Sequence, residues 1–549
     1  VAFRGFTVIW SDQMRYDRNA IYQFIYVITG VVLWPYLNEY VNNSDSYQYI
    51  NVARLYESGY LSEAVNGYWS PLISWLLLPV LKTGWSAIHA FKMLQLTIGL
   101  LALRWSIRLA DQFAASPRFR EPFKWIMIPT LLGYAYLYLT ADLLFFTLQL
   151  RLVLFLIEAP VWNNRRRALQ FGVLGSLLYL SKAFGFPLFI AMVCCSVYYH
   201  RQHATFRWKW VAEGVVVFLT ISSAWIFGIS LKYGHFTVSE AAAFNATREV
   251  APLPEQLVRL PVLYTNGIVP PVGSHALSAS EEPMQAITLT PLRPWSDKSD
   301  RDHRFAVIKR NMLSIWYFDF RRQLGIIFLL FLLVLFMARR ELLQAGDPLL
   351  FYPIALLLFT YAGYAMILYH ARYSWICSAL MMLLVSRLAE QLSKSEKRII
   401  QNGAWMVLVI GLVLSVKRPI KELLFEKDRQ VAGADFFAAI ISPLKTLEAT
   451  YAPDQEVAAA AEDLRRLNGS FASRFSDTRE RPPYYASLAV AERSGQRFYG
   501  QLDDTKPGAL DSLRLYGVRY FLVWNASPDS CFGRPPVMVL ENVRVFDLR

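Results

Sequence analysis

Charge is scarce in this 549-residue chain, and acid is scarcer than base: Asp, Glu, Lys and Arg make up 18% of it, 42 acidic against 56 basic. With 55% hydrophobic residues and a mean hydropathy of +0.28, that scarcity excludes an ordinary soluble enzyme of this length. Cysteine is nearly absent too. Of the four, Cys194, Cys195 and Cys377 fall in apolar runs and Cys531 stands alone near the end, so no disulfide framework exists. The adjacent Cys194 and Cys195 read as packing residues rather than ligands. There is no GxxxxGK[ST], no HExxH and no paired CxxC, which leaves ATP hydrolysis and structural zinc without support. The net charge of +14 would suggest nucleic acid in a soluble protein. Here many of the positive charges sit in short loops between apolar runs and no nucleic-acid motif accompanies them, so that partner is discounted. Part of the surplus suits anionic lipid or phosphate.

What the chain has in quantity is apolar runs and aromatics. Trp, Tyr and Phe reach 15% of the chain, as interfacial anchors at many helix ends would require. Apolar spans are read at 21–37, 88–108, 125–140, 142–161, 168–182, 185–199, 211–231, 324–338, 349–369, 374–390 and 402–417. These make about eleven transmembrane helices near the ~20 residues a bilayer needs, several of them short. Basic clusters set the sidedness: Arg15 and Arg18, Arg104 to Lys124, Arg165 to Arg167, His200 to Lys209, Arg339-Arg340 and Lys394 to Arg398 all fall on one face. An odd span count puts the N-terminus in the cytoplasm and the C-terminus outside. No small-residue cleavage site follows the first apolar run, so it is expected to stay as an anchor. The chain opens on Val1 rather than Met, so a few residues are expected to be missing or processed.

The expected layout is a transmembrane module over 1–416 and an extracytoplasmic α/β domain over 417–549. The module carries a first outer loop at 38–87 and a large outer loop at 232–322. In the first loop, Tyr49, Val52, Ala53 and Tyr56 recur at helical spacing with Gln48, Asn51, Arg54 and Glu57 between them. That pattern predicts an amphipathic helix lying on the membrane. The apolar stretch from Pro71 to Leu81 is too short to cross and is read as dipping into the outer leaflet. The large loop is proline-rich and reads as a lid or substrate-binding face. After 417, three helix-then-strand units and two closing strands predict the small α/β domain.

Two hairpins are tight. From Ala168 to Tyr199 about 32 residues make two crossings, which at ~1.5 Å per residue is about 24 Å each way against a ~30 Å hydrocarbon core. The polar tips, Thr140-Ala-Asp142 and Ser181-Lys182, are therefore expected to sit recessed in a wet, outward-opening cavity. Asp45, Asp142, Lys182, Lys232, His370 and Arg372 all come to the outer side, and charge at that depth marks a functional candidate. Asp45, in Asn42-Asn-Ser-Asp-Ser-Tyr-Gln-Tyr49, suits a general base, with helix capping as the competing role. Asp142 opens an apolar helix, where capping again competes with a site role. Lys182 is either a site cation or a snorkelling anchor. Arg372, in Tyr369-His-Ala-Arg-Tyr373, is either a two-point phosphate clamp or an interfacial anchor. Arg151, in mid-span, reads as structural.

These residues resemble a known group. Asp45 through Ala53, Gly59, Asn66 and Ser70-Pro71-Leu72 resemble the first outward loop of GT-C glycosyltransferases. That group includes bacterial relatives of the protein O-mannosyltransferases and the lipid A aminoarabinose transferases. Asp142-Leu-Leu, Gly175-Ser-Leu-Leu-Tyr-Leu-Ser-Lys182 and Arg372-Tyr373 extend the match. Lys232-Tyr-Gly-His-Phe-Thr237 and the strand ending at Trp524 resemble uncharacterised bacterial members. The resemblance implies a bacterial inner-membrane enzyme that moves a sugar from a polyprenyl-phosphate donor to a glycan, lipid or protein acceptor on the outer face. It further implies Asp45 as catalytic carboxylate, with Asp142, Lys182, Lys232, His370, Arg372 and Tyr373 as substrate contacts. One departure matters: the O-mannosyltransferase pattern has adjacent acids, and here Ser46 follows Asp45. That weakens the case for a protein mannosyltransferase and for a metal bridging two carboxylates. No cofactor is firmly implied, and a divalent metal stays open. Two rivals remain: a non-catalytic GT-C-like scaffold in a membrane assembly, docking partners through its outer domain, and a lipid or glycan transporter. The lack of an inverted repeat counts against the transporter.

The sidedness is testable. In a chain stripped of its native cysteines, Ser530→Cys should react with a membrane-impermeant thiol reagent from outside, and Arg166→Cys only after permeabilisation. The reverse pattern would take the candidate residues off their shared face.

Overall fold

The computed structural model describes residues 2–38, 41, 43–202, 204–246, 249–250, 258–259, 267–287, 297–321, 325, 347–393, 398–424, 442–443, 446, 455–474, 483–524, 530–540 and 543–549. The span expected at 324–338 and the basic pair at 339–340 lie outside these residues, as does most of the linker after 424. By contacts the chain divides into two compact units. One comprises Val1–Asn42, Ile88–Ala224 and Asn311–Ala452; the other Asn43–Ala87, Trp225–Arg310 and Pro453–Arg549.

The first unit is helical. Helices Ala2–Leu37, Ala87–Phe113, Pro117–Leu137, Asp142–Glu158, Arg165–Ser181, Gly185–His200, Pro348–Met366, Trp375–Ser393 and Arg398–Leu424 coincide with expected spans, and Trp208–Tyr233 begins here. Their starts follow local chemistry. Asn164 accepts the Arg167 N–H, Asp347 accepts the Leu349 N–H, and proline opens the helices at 117 and 348, where its missing N–H costs nothing. Among the described residues five runs are long and apolar enough to cross a membrane: Asn19–Leu37, Ala87–Phe113, Trp208–Tyr233, Pro348–Met366 and Ala371–Ser393. Three more of the expected spans form helices that are too short to join them. Asp142–Glu158, Arg165–Ser181 and Gly185–His200 have only 17, 17 and 16 residues, about 24–26 Å at ~1.5 Å per residue.

These short helices are packed against one another in chain order, and Pro348–Met366 packs on both Asp142–Glu158 and Gly185–His200. The turn between the second and third is closed by Gly185, whose N–H donates to Lys182 O at 2.7 Å. A Cβ on Gly185 would lie 2.3 Å from the Leu178 carbonyl, so only glycine lets the hairpin close this tightly.

The second unit gathers three chain-distant segments around a six-stranded sheet. Besides the short hairpin of β1 (Glu249–Val250) and β2 (Val258–Arg259), the strands are β3 (Gly267–Ile268), β4 (Phe471–Arg474), β5 (Phe498–Leu502), β6 (Tyr520–Trp524), β7 (Met538–Val539) and β8 (Val543–Asp547), ordered β3-β5-β4-β6-β8-β7. Strands β5, β4 and β6 run parallel, each preceded by a helix: Gln455–Leu467, Pro483–Ser494 and Ala509–Leu515. The predicted helix-then-strand units and closing strands are all present. The sheet is not confined to 417–549, however, because β3 comes from the large loop and pairs antiparallel with β5.

The first-loop helix forms at Asp45–Glu57, but its polar face points inward. Gln48 and Asn51 are as buried as Tyr49 and Val52. The helix is packed among Leu72–Leu81, the turn Ala279–Glu281 and helix Pro483–Ser494, so Gln48 and Asn51 meet protein while Glu57 stays exposed. The periodicity was read properly as helix; the polar side meets protein hydrogen-bond partners that are far away in sequence.

Candidate functional site

In the first unit, the ends of three elements converge on one carboxylate. Asp142 opens its helix directly after the turn 138–141, and Thr140, Asp142 and Ser181 are all buried. Lys182 ends helix Arg165–Ser181 in extended backbone (φ −157°, ψ 131°), which swings its side chain off the helix. Its ammonium donates to Asp142 Oδ1 at 2.5 Å. Arg372, on the single turn Ala371–Ser374, places Nε 3.3 Å from Asp142 Oδ2. The Thr140 hydroxyl donates to Oδ2 at 2.8 Å. The two cationic side chains are only 21% and 14% exposed, so water shields these charges weakly.

Aromatic faces complete the cluster. Lys182 Nζ lies 3.4 Å from the centre of the Tyr373 ring and 5.5 Å from that of Tyr364. The two tyrosines stack at 4.9 Å, and the Arg372 guanidinium lies 5.3 Å from the Tyr373 ring. A cation held over tyrosine faces keeps part of its charge compensated without a second acid. Asp142, Lys182, Arg372 and Tyr373, singled out from three separate stretches of sequence, are thus brought together. Their formal charges, one negative and two positive, leave the cluster cationic.

His370 stands beside the cluster rather than in it. It is exposed, its carbonyl accepts the Tyr373 N–H at 2.8 Å, and its ring meets the Tyr373 ring edge-on at 5.5 Å. Its visible work is to shape the turn that carries Arg372.

Asp45 and Lys232 lie in the second unit. Asp45 is the first residue of its helix, and its N–H is capped by Asn43 Oδ1 at 2.9 Å, while the N-cap residue Ser44 makes no side-chain cap bond. Asn43 thus supports the start of the helix with its side-chain oxygen. Lys232 is otherwise employed. Its ammonium meets Val65 O at 2.6 Å, Glu63 O at 3.3 Å and Glu282 Oε2 at 2.7 Å. Three donors with three acceptors make it a clamp on the first loop. Among the described residues no group of three or more His, Cys, Asp or Glu gathers that could hold a metal.

Sequence reasoning missed the support around Asp142. Gln95 is fully buried and donates to the carbonyls of Thr140 at 2.6 Å and Tyr138 at 3.4 Å, holding the turn before Asp142. Asn311 fixes the far side, donating to the carbonyls of Tyr364 and Ala365 and accepting the Tyr369 N–H. Lys92 and Gln95, one turn apart on an apolar helix, were the signal available: buried polar side chains in a span need a reason.

With this geometry in view, comparison with solved structures matches two crystal structures of ArnT from Cupriavidus metallidurans, one bound to undecaprenyl phosphate and one in the apo state. Each gives a TM-score of 0.50 at 12% identity, over 95% of this chain and 97% of that one. The chain has the ArnT fold. That likeness is one of fold, and among the described residues five runs are long and apolar enough to cross a membrane. No protein-family model matches the sequence, and no curated protein does.

The cluster predicts an asymmetry in stability. Asp142→Asn leaves two poorly solvated cations against one lost charge and should cost about 3–5 kcal/mol, the range for breaking a buried pair. Adding Lys182→Met should restore part of that cost. Thermal unfolding of the purified single and double variants measures it, and an additive double variant would mean the pair is not coupled.

Proposed function

We propose that this chain is an integral-membrane glycosyltransferase of the GT-C type. It would take a sugar from a polyprenyl-phosphate donor and pass it to an acceptor hydroxyl on the outer face of the bacterial inner membrane. The observation that carries this reading is the cationic cluster of Lys182 and Arg372 around Asp142, at the recessed tips of short helices. A polyprenyl-phosphate sugar is a phosphodiester with one negative charge, and its tail must remain in lipid. Lys182, Arg372 and Asp142 together carry one positive charge in surplus, which would balance that donor. The ArnT fold supports the reading, since undecaprenyl phosphate, the molecule bound in one ArnT structure, is the kind of lipid such a transfer releases.

In the proposed reaction the acceptor oxygen attacks the anomeric carbon as the bond from that carbon to the phosphate oxygen breaks. Asp45 takes the acceptor proton, and both electrons of the broken bond leave with the lipid phosphate. Lys182 and Arg372 hold that phosphate, and their attraction grows as charge develops on the leaving oxygen, which is the condition for lowering the barrier. Asp142 orients the two cations. The outer-face location and the extracytoplasmic placement of 417–549 belong to the same proposal and rest on the basic-loop pattern.

Asp45→Asn should lower transfer ~10²–10⁴-fold with folding intact, because the amide cannot accept the proton at neutral pH. Near-wild-type rates would hand the role of base to another group. Donor titration in nanodiscs separates the cations. Arg372→Lys should weaken donor binding more than Lys182→Arg, since lysine cannot reproduce a planar two-point grip, and Arg372→Ala should nearly abolish it. Unchanged affinity in both alanine variants would leave a scaffold without a phosphate site.

A further inference from the structure

A second buried carboxyl, to which no role has been given above, sits in the second unit. Glu281 is 2% exposed, at the end of the turn Ala279–Glu281. Its two oxygens are treated very differently. Oε1 accepts the backbone N–H groups of Leu277 and Ser278, both at 2.9 Å, and the side-chain amide of Asn51 at 3.1 Å. Oε2 is buried with no hydrogen-bond partner, and so is Oδ1 of the same Asn51. Two planar groups joined by one N–H···O bond, each with a lone acceptor oxygen left over, lack one proton to close a second bond.

We infer that Glu281 is an uncharged carboxylic acid that donates its proton from Oε2 to Asn51 Oδ1, closing a two-point acid–amide pair. The pair fastens the helix that begins at Asp45 to the large loop. An ionised Glu281 would place an acceptor against an acceptor in a dry site, the arrangement that buried polar groups avoid. The surrounding charges offer it no relief. On the helix, Arg54 is committed to Glu492 at 2.7 Å. Beside Glu281, Glu282 is committed to Lys232 at 2.7 Å. Across from it, Glu63 is a further negative charge, tied to His275. Tyr484 reaches the adjacent Ser280 as a neutral hydroxyl. Burial pushes the Glu281 carboxyl up from 4.5 to about 7, against the pull of the N–H groups on Oε1. Its place in the capping box with Ser278 is kept, because a protonated acid still accepts through its carbonyl oxygen.

The functional consequence is positioning. Asp45 is the first residue of the helix that carries Asn51, so releasing the latch would loosen the proposed base. That consequence rests on the glycosyltransferase reading, but the protonation state does not. The sign of the pH effect follows from the raised value. Stability contributed by the neutral acid is complete below about 4.5 and is lost as pH rises through about 7.

The test uses the full chain, purified in detergent, melted between about pH 5 and about pH 9, as wild type, Glu281→Gln and Glu281→Ala. Glutamine supplies a permanent N–H where the acid has its proton. Glu281→Gln should therefore match wild type at the acid end, gain on it as pH rises toward about 7, and hold a constant advantage above that. Glu281→Ala should melt lower throughout. The infrared carboxylic-acid C=O band at neutral pH should diminish in Glu281→Gln relative to wild type. A Gln variant destabilised at every pH, or a wild-type minus Gln difference that does not change with pH, would overturn the assignment by showing an ionised Glu281. The predicted melting profile in a chain that transfers no sugar would sustain the latch and sink only the enzyme reading.

Discussion

Two cations and one carboxylate meet where three elements of the first unit end, and the geometry of the whole candidate site hangs on that meeting. Lys182 is there because Gly185 permits a tight hairpin, Arg372 because a single helical turn interrupts the chain between two spans. Asp142 is there because Gln95 and Thr140 hold the turn before it. Each charge alone would be expensive at this depth, and each is tolerable only because the others are present. The site is thus a mutual condition: removing any one charge changes the cost of keeping the rest. This is also why it differs from a row of interfacial anchors. Anchors act singly and point to headgroups, whereas here both cations turn onto one buried acid.

The second unit is held by a different device, hydrogen bonds between segments from 50 to 438 residues apart. Asn51 reaches Glu281, Arg54 reaches Glu492, Lys232 reaches Glu282, and Trp69 donates to Ser280 O at 3.0 Å. Gly67 shows how close the fit is, since a Cβ there would lie 2.7 Å from the Tyr233 ring and 2.9 Å from Glu240. The first loop, the large loop and the C-terminal segment therefore make one unit. A proline-rich loop that donates a strand to its neighbour's sheet has a fixed path over at least that stretch.

How much of this was legible beforehand follows from what each feature depends on. Apolar periodicity and basic loops are local, so ten of the expected spans coincide with helices, and the alternation after 450 gave the helices and strands of the sheet to within a few residues. Charged residues at span ends are local too, which is how Asp142, Lys182 and Arg372 could be picked before their contact was known. Gln48 and Asn51 show the limit. Their spacing announces a polar face, but whether it meets water, lipid or protein is decided by residues near 280. Lys232 shows the same limit, because its acceptors, at 63, 65 and 282, are not its neighbours in sequence. Glu281 carried only a capping signal, since Ser278-Ala-Ser-Glu281 has the spacing of a capping box and that says nothing of burial. Asn43 was hidden by proximity: Asp45 lay in a run of good capping residues, and only backbone geometry shows which one caps.

On the proposed reading, Asp142 also tunes the site between substrate and product. Lys182 and Arg372 alone would present two positive charges. The donor phosphodiester has one negative charge, but the released lipid phosphate is a monoester whose second ionisation lies near ~6, so at neutral pH it approaches two. A doubly cationic pocket would suit the product better than the donor, and an enzyme that binds its product best is slowed by its release. With Asp142 in place the surplus is one. The donor is then neutralised on binding, and the extra charge that appears as the bond breaks is still attracted, through donors only 2.5 and 3.3 Å from the carboxylate that holds them. What the acid gives up in product affinity is what turnover needs. The arrangement therefore makes more sense in a protein that must let a lipid phosphate go than in one that only has to hold it.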